Sequence, residues 1–87
     1  MKIHDDVIKA AGVEAVYDKI EEELTELLLA LKHWRQGKAS VNDLLEEVAD
    51  VLNMMPYFEL LHDSEAIAEI QIYKYKRLQD RLDKGEL

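Results

Sequence analysis

The chain has 87 residues and a formal net charge of −8, enough for one small domain whose own core supplies only marginal stability. It has no cysteine, which excludes disulfide bonds and thiolate zinc sites, and its acidity argues against a nucleic-acid-binding surface, which needs a basic patch. No apolar run reaches membrane-spanning length and the N-terminus lacks the apolar run of a signal peptide, so we expect a cytoplasmic protein with no membrane or nucleic-acid partner.

Helices are predicted along the whole chain, because only three glycines and one proline interrupt it and no window shows sustained strand-like alternation. A short helix over residues 4–11 stops or bends at Gly12. A long helix then runs from Val13 to about Gln36 and ends at Gly37, which suits the left-handed C′ position. Its apolar residues recur every three or four positions as one stripe, which Glu23 flanks. The stripe consists of Val13, Val16, Tyr17, Ile20, Leu24, Leu27, Leu28, Leu31 and Trp34.

The second long helix is predicted from about Val41 to Leu61. Ser40 reads as its N-cap, with Asp43 three residues later in a weak capping-box arrangement. Pro56 falls inside this segment, and proline removes a backbone donor and crowds the preceding turn. We therefore expect a kink or an early end near Met55.

A third long helix is predicted from a cap at Asp63 or Ser64 to about Lys84. No linker or internal repeat divides the chain, which we therefore treat as a single domain over residues 1–87. The predicted fold is all-α: a bundle of three long helices with a possible short N-terminal helix. Stripes this broad leave apolar surface uncovered on a monomer, so we expect a homo-oligomer, either a dimer or a tetramer.

Two acidic pairs share the same spacing, Glu23-x-x-Glu26 and Glu47-x-x-Asp50. Residues three apart are neighbours on a helix surface, and a projection at about 100° per residue puts Glu47 inside the apolar arc and Asp50 at its edge. A carboxylate directed into a core is costly unless it is paired, protonated or bound to metal. Four carboxylates from two helices therefore predict a site for a hard divalent cation.

The third long helix carries basic residues at spacings of three and four, Lys74, Arg77 and Arg81. Lysine binds phosphate as a point charge and arginine as a bidentate fork. We predict that Lys74 and Arg77 contact phosphate, with ion pairing to nearby acids as the alternative, and we interpret Arg81 as a surface or interface residue. An acidic cluster combined with a basic stripe is what a metal–polyphosphate enzyme needs.

Two stretches of the chain together resemble the EExxE…ExxD signature of MazG-like nucleoside triphosphate pyrophosphohydrolases. They are Lys19-Ile20-Glu21-Glu22-Glu23-Leu24-Thr25-Glu26-Leu27 and Glu46-Glu47-Val48-Ala49-Asp50-Val51. The segment Lys74-x-x-Arg77 also fits, and the resemblance covers roughly residues 13–84. It implies Mg²⁺-dependent hydrolysis (or Mn²⁺ in its place) between the α- and β-phosphates of (d)NTPs, which gives a nucleoside monophosphate and pyrophosphate in nucleotide-pool housecleaning. It also implies an all-α fold, active sites at a subunit interface, and metal ligation by Glu23, Glu26, Glu47 and Asp50. The chain is near the family's minimum length, and several larger members have extra segments that shape the base pocket.

Candidate residues for proton transfer and for substrate binding each have an alternative interpretation. Glu22 or Glu26 would accept the proton of the attacking water, and a solvated helix face is the alternative for Glu22. Asn53 lies one turn beyond Asp50, where it would contact substrate or hydrogen-bond to another helix. Trp34 would stack on a base or, as part of a leucine-rich stripe, lie in the core. The histidines show no ligand spacing and are assigned no role; they are His4, His33 and His62.

Two other functions stay open. One is a phosphoribosyl-ATP pyrophosphohydrolase, which has a related helical fold and similar acidic motifs. The other is a non-catalytic helical dimerisation module in which the acids are surface charge. The position of Glu47 separates the enzymes from the module: burial among carboxylates favours an enzyme, and exposure to solvent favours the module.

Overall fold

The structure is a computed structural model that describes residues 2–87. These residues form four α-helices and no strand: α1 (Lys2–Ala11), α2 (Val13–Arg35), α3 (Val41–Leu61) and α4 (Ser64–Asp83). The predicted all-α class, with three long helices and a short leading one, is confirmed. None of the helices in this range is long and apolar enough to cross a membrane.

The connection between α2 and α3 is short because nearby residues hydrogen-bond to the unpaired backbone carbonyls at the end of α2 and the unpaired backbone amides at the start of α3. Gly37 has a φ of 72°, and the amide of Lys38 donates to the carbonyl of His33 at 2.8 Å, as in a Schellman motif. Ser40 and Asp43 then form the predicted capping box: the Ser40 hydroxyl accepts from the Asp43 amide at 3.1 Å and the Asp43 carboxylate accepts from the Ser40 amide at 3.0 Å. The chain therefore reverses within a few residues, and α3 packs along α2.

Pro56 does not end α3: of the two outcomes predicted for it, a kink or an early end near Met55, the early end is wrong, and the predicted bounds of the helix are confirmed. The helix continues to Leu61. Proline cannot donate to the carbonyl four residues earlier, which belongs to Leu52, a residue that is 63% exposed. The last turn is also anchored by Tyr57, which lies in the core.

The core lies between α2 and α3 and is small. Val16, Ile20 and Tyr57 are buried, and a ring of half-buried apolar side chains packs against them. That ring consists of Ile8, Tyr17, Met54, Phe58 and Leu61. A core of three buried hydrophobic residues fits the marginal stability expected of so short a chain.

Helix α1 docks on this core through His4. Its Nε2–H donates to the backbone carbonyl of Asn53 at 2.7 Å, and its ring packs edge-on against Tyr57 with centroids 4.5 Å apart. Gly12, with a φ of 89°, separates α1 from α2 as predicted and lets the chain turn so that α1 reaches both α2 and α3.

Helix α4 is the least packed element. Its N-cap is Asp63, whose carboxylate accepts from the amide of Ala66 at 3.1 Å. Within residues 2–87, α4 contacts only α3 and buries none of its side chains. Large apolar residues along it are therefore exposed, namely Ile67, Ile70, Ile72, Tyr73, Tyr75, Leu78 and Leu82. The first three helices form the packed bundle, and α4 extends it at one end.

Candidate metal centre

Glu23 lies inside the α2–α3 interface rather than beside it. Val16, Ile20, Glu23 and Leu27 are spaced by four, three and four residues, which places them along one line of the helix. Val16 and Ile20 are core residues, and Glu23 is only 5% exposed. The broader apolar stripe of α2 predicts that Glu23 lies at its flank, whereas the structure shows that Glu23 faces α3.

Glu47 occupies the corresponding line on α3. Leu44, Glu47, Val51 and Met54 are all half-buried and are spaced by three, four and three residues. The Oε2 atoms of both Glu47 and Glu23 are buried and have no hydrogen-bond partner among residues 2–87. Buried polar atoms in folded proteins are nearly always paired, so two such oxygens in one helix interface need an explanation.

The carboxylates meet around Glu23. Glu23, Glu47 and Asp50 each offer an oxygen, and these oxygens lie within 4.8 Å of one another. The same holds for Glu22, Glu23 and Glu26. We call these five residues the acidic cluster. It contains every predicted metal ligand, and its members range from buried Glu23 through half-buried Glu26 and Glu47 to exposed Glu22 and Asp50.

Crowding of like charges alters proton binding in the cluster. The pKa of Glu26 is raised, first because the carboxyl group is partly removed from water and then because of the negative charges of Glu23, Glu47 and Glu22. Lys19 opposes this effect. The Glu26 carboxylate of the metal-free protein therefore binds a proton more readily than an isolated glutamate does.

The donor set suits a hard divalent cation. Mg²⁺ and Mn²⁺ prefer oxygen ligands, and the cluster provides carboxylates from two helices. Exposed acidic groups often lie close together without a metal, so proximity alone says little. The stronger observation is the unpartnered Oε2 of Glu23, a residue almost fully buried between the two helices.

The basic residues lie apart from the α2 side of the cluster. Lys74, Arg77 and Arg81 line a shallow depression on α4, and all three are exposed. Because α4 contacts α3 and not α2 within the described range, the fold of one chain does not pack these side chains against the helix that carries Glu23.

The two remaining substrate candidates are also at the surface. Trp34 is 42% exposed near the end of α2, so its alternative interpretation as a core residue is wrong for the single chain. The side chain of Asn53 is exposed, and the hydrogen bond by which this residue joins two helices uses its backbone carbonyl, as acceptor from His4. A role for either side chain in substrate binding stays a prediction.

Two residues without a predicted role have defined positions. His4 is buried and holds α1 on the core. Lys19 forms ion pairs from its Nζ to Oε1 of Glu23 at 3.1 Å and to Oε2 of Glu22 at 3.5 Å. The signal for Lys19 was present in the sequence, because a lysine three and four residues before two glutamates is adjacent to both on a helix.

Comparisons with protein-family models, curated proteins and solved structures found no match for this chain.

Proposed function

We propose that this protein is a Mg²⁺-dependent nucleoside triphosphate pyrophosphohydrolase of the cytoplasm, which removes unwanted (d)NTPs as monophosphate and pyrophosphate. One observation carries the proposal: the buried Glu23, with a free Oε2, lies beside Glu47 and Asp50 in the α2–α3 interface. These are residues of the two motifs that resemble the MazG-like signature, so the geometry and the resemblance support the same site.

The burial of these carboxylates favours an enzyme over a dimerisation module. In a purely structural bundle, apolar side chains at the positions of Glu23 and Glu47 would pack in the interface without any desolvation penalty. Replacement of buried charges by well-packed hydrophobic residues is often neutral or stabilising by about 1–4 kcal/mol. Glutamates at these two inner positions are therefore better explained by a bound cation than by stability.

In the proposed mechanism Glu23, Glu26, Glu47 and Asp50 would hold the metal. When bound, Mg²⁺ would lower the pKa of water and neutralise charge on the phosphates. Of Glu22 and Glu26, the carboxylate that the metal does not fully engage would accept the proton that water loses as its oxygen bonds to phosphorus. The anhydride bond between the α- and β-phosphates breaks, which releases nucleoside monophosphate and pyrophosphate.

The basic residues of α4 would reach an active site through the assembly of several copies of the chain. We propose a homo-oligomer, a dimer or a tetramer, in which a second copy covers the exposed apolar side of α4. Lys74 and Arg77 would then contact the phosphates in an active site shared between subunits, while Asn53 and Trp34 are retained as substrate-binding candidates. The support is that α4 buries none of its side chains on its own chain.

The proposal is tested by incubating the purified protein with Mg²⁺ and a panel of (d)NTPs and identifying the products. We expect monophosphate and pyrophosphate. The variant Glu47→Gln should be inactive, whereas Glu46→Gln should be active, because Glu46 is the adjacent glutamate on the exposed face of α3. Diphosphate and phosphate as products would contradict cleavage at the α–β bond.

The same experiment separates the alternatives. Phosphoribosyl-ATP is included as a substrate, and its hydrolysis in preference to every (d)NTP would assign the protein to the histidine-biosynthesis activity instead. Absence of hydrolysis with all of these substrates, by a protein that is folded and binds Mg²⁺, would favour the non-catalytic module.

A further inference from the structure

Lys19 is the basic residue that the fold places on the acidic cluster. Its Nζ lies 3.1 Å from Oε1 of Glu23 and 3.5 Å from Oε2 of Glu22. The Lys19 side chain is 53% exposed, whereas that of Glu23 is only 7% exposed. The ammonium group therefore lies at the solvent edge of the cluster and forms an ion pair with its most buried carboxylate.

The two oxygens of Glu23 have different surroundings. Oε1 forms an ion pair with Lys19, whereas Oε2 is buried without a partner among residues 2–87. A cation can therefore bind Oε2 while the ion pair at Oε1 stays in place. The ammonium and that cation would then lie on opposite oxygens of one carboxylate.

The charges of Glu22 and Glu23 also act on Lys19. Its hydrogen bond to Glu23 and the nearby carboxylates raise the pKa of its ammonium group, so the group keeps its positive charge throughout the neutral range. In the metal-free protein this charge offsets part of the repulsion among the carboxylates. Once a divalent cation binds, the same charge becomes a repulsive neighbour.

We propose that Lys19 is the internal counter-ion of the acidic cluster, which stabilises the metal-free fold and weakens the binding of free divalent cations at Glu23, Glu47 and Asp50. This inference rests on the metal site of the proposed function. It assigns Lys19 a positioning role, since it acts on the metal through Glu23. Because of Lys19, the affinity of the site for divalent cations is lower than it would be with the carboxylates alone.

The test uses three variants of the full chain. Lys19→Met removes the charge and keeps a long apolar stem, and Lys19→Arg keeps the charge. Lys2→Met is the matched control, because Lys2 pairs with Asp6 at 2.8 Å in the same i,i+4 arrangement but on α1, away from the cluster. Binding of Mn²⁺ is measured by titration calorimetry without nucleotide, and unfolding is followed by heating in the presence of a chelator.

Lys19→Met should bind Mn²⁺ about tenfold more tightly than the parent, the order expected when one charge near a divalent ion is removed in largely aqueous surroundings. It should also melt at a lower temperature without metal and gain more from added Mn²⁺. Lys19→Arg should resemble the parent in both measurements, and Lys2→Met should bind Mn²⁺ with the affinity of the parent.

Equal or weaker Mn²⁺ binding by Lys19→Met would overturn the inference. Lys19→Gln provides a second neutral variant, to which the same criterion applies if the methionine variant does not fold. A parent protein that binds no Mn²⁺ would overturn both this inference and the proposed function. A parent that binds Mn²⁺ but hydrolyses no nucleotide would overturn the proposed function alone.

Discussion

At the scale of single residues, Glu23 and Glu47 combine burial with a missing partner. Each has an Oε2 atom that is removed from water and accepts no hydrogen bond within residues 2–87. Such atoms reduce the stability of a fold unless a ligand satisfies them. Stability without metal and activity with metal should therefore respond in opposite directions when one of these charges is removed.

The first prediction concerns Glu47→Gln. This change keeps the shape of the side chain but removes a negative charge from a crowded site. Without metal, the variant should be at least as stable as the parent, and it should gain less from added Mg²⁺ because a ligand has been lost. Melting curves with and without Mg²⁺ measure both effects, and Glu46→Gln serves as the control. A variant with the full Mg²⁺ response would show that Glu47 is not a ligand.

The second prediction concerns pH and Glu26. Burial and neighbouring charges raise the pKa of Glu26 in the folded protein above the ordinary value of 4.5, which the unfolded chain keeps. The folded state therefore binds a proton at Glu26 more readily than the unfolded chain does. As the pH rises through the raised pKa, Glu26 becomes charged and the folded state loses stability. As the pH falls from neutrality towards 4.5, the metal-free parent should gain stability relative to Glu26→Gln.

Urea unfolding of the metal-free proteins across this pH range measures that difference. The charges around Glu26 are those of Glu22, Glu23, Glu47 and Lys19, and they are common to both proteins. Glu69→Gln, at an exposed position on α4, is the control and should run parallel to the parent. Parallel curves for the parent and Glu26→Gln would show that the pKa of Glu26 is not raised.

The burial of Glu23 can be predicted from the sequence only with a narrower pattern than the apolar stripe that runs from Val13 to Trp34. A broad stripe of apolar residues places Glu23 at its edge, whereas the line through Val16, Ile20, Glu23 and Leu27 places it inward. The sequence could not show which oxygen of Glu23 is free. That depends on where Lys19 lies and on how close α3 approaches, which are properties of the packed helices.

At the scale of the helices, the ends were predictable and the docking was not. Ser40, Asp43 and Gly37 act on backbone groups a few residues away, so their effect can be read locally. Pro56 is a local signal for the end of a helix, but α3 continues through it. The helix tolerates the loss of one backbone N–H donor near an exposed residue. His4 had no recognisable pattern, because its partners, Asn53 and Tyr57, lie on a distant segment.

The third prediction concerns this docking of α1. His4→Ala removes the hydrogen bond to the Asn53 carbonyl and the contact with Tyr57, and should lower the free energy of unfolding by about 2 kcal/mol. The matched control is His33→Ala, an exposed histidine near the end of α2, which should change stability little. Urea unfolding monitored by circular dichroism compares the two. Equal effects would show that His4 does not hold α1 in place.

At the scale of the whole molecule, large apolar side chains are exposed on more than one helix. The apolar residues of α4 are exposed, and so are Leu24, Leu28 and Trp34 on α2. Large exposed apolar patches mark interaction surfaces. The sequence predicted uncovered apolar surface, but it could not show which side of α4 a second copy would cover, because no pattern within one chain specifies the surface of a second copy.

The fourth prediction is that the protein is a homo-oligomer. Light scattering at micromolar concentration should give the mass of a dimer or a tetramer. Leu78→Glu, which places a charge on the exposed apolar side of α4, should shift the mass towards that of a monomer. A monomeric parent at this concentration would contradict the proposed assembly.

The fifth prediction tests whether the active site is shared between subunits. Arg77→Ala and Glu47→Gln should each lose activity as a pure oligomer. When the two variants are unfolded together and refolded as a mixture, part of the activity should return, because mixed oligomers contain sites with both Arg77 and Glu47. No recovery in mixed oligomers would show that both residues act within one chain, and full activity of Arg77→Ala would assign Arg77 to structural pairing.

The central claim is that the acidic cluster binds the metal that a pyrophosphohydrolase needs. It is tested most directly by measuring pyrophosphate release from a hydrolysed (d)NTP as Mg²⁺ is titrated into the parent, Glu47→Gln and Glu46→Gln. We predict a saturable Mg²⁺ dependence for the parent and for Glu46→Gln, and almost no release by Glu47→Gln at any Mg²⁺ concentration. Full activity of Glu47→Gln with an unchanged Mg²⁺ dependence would contradict the claim.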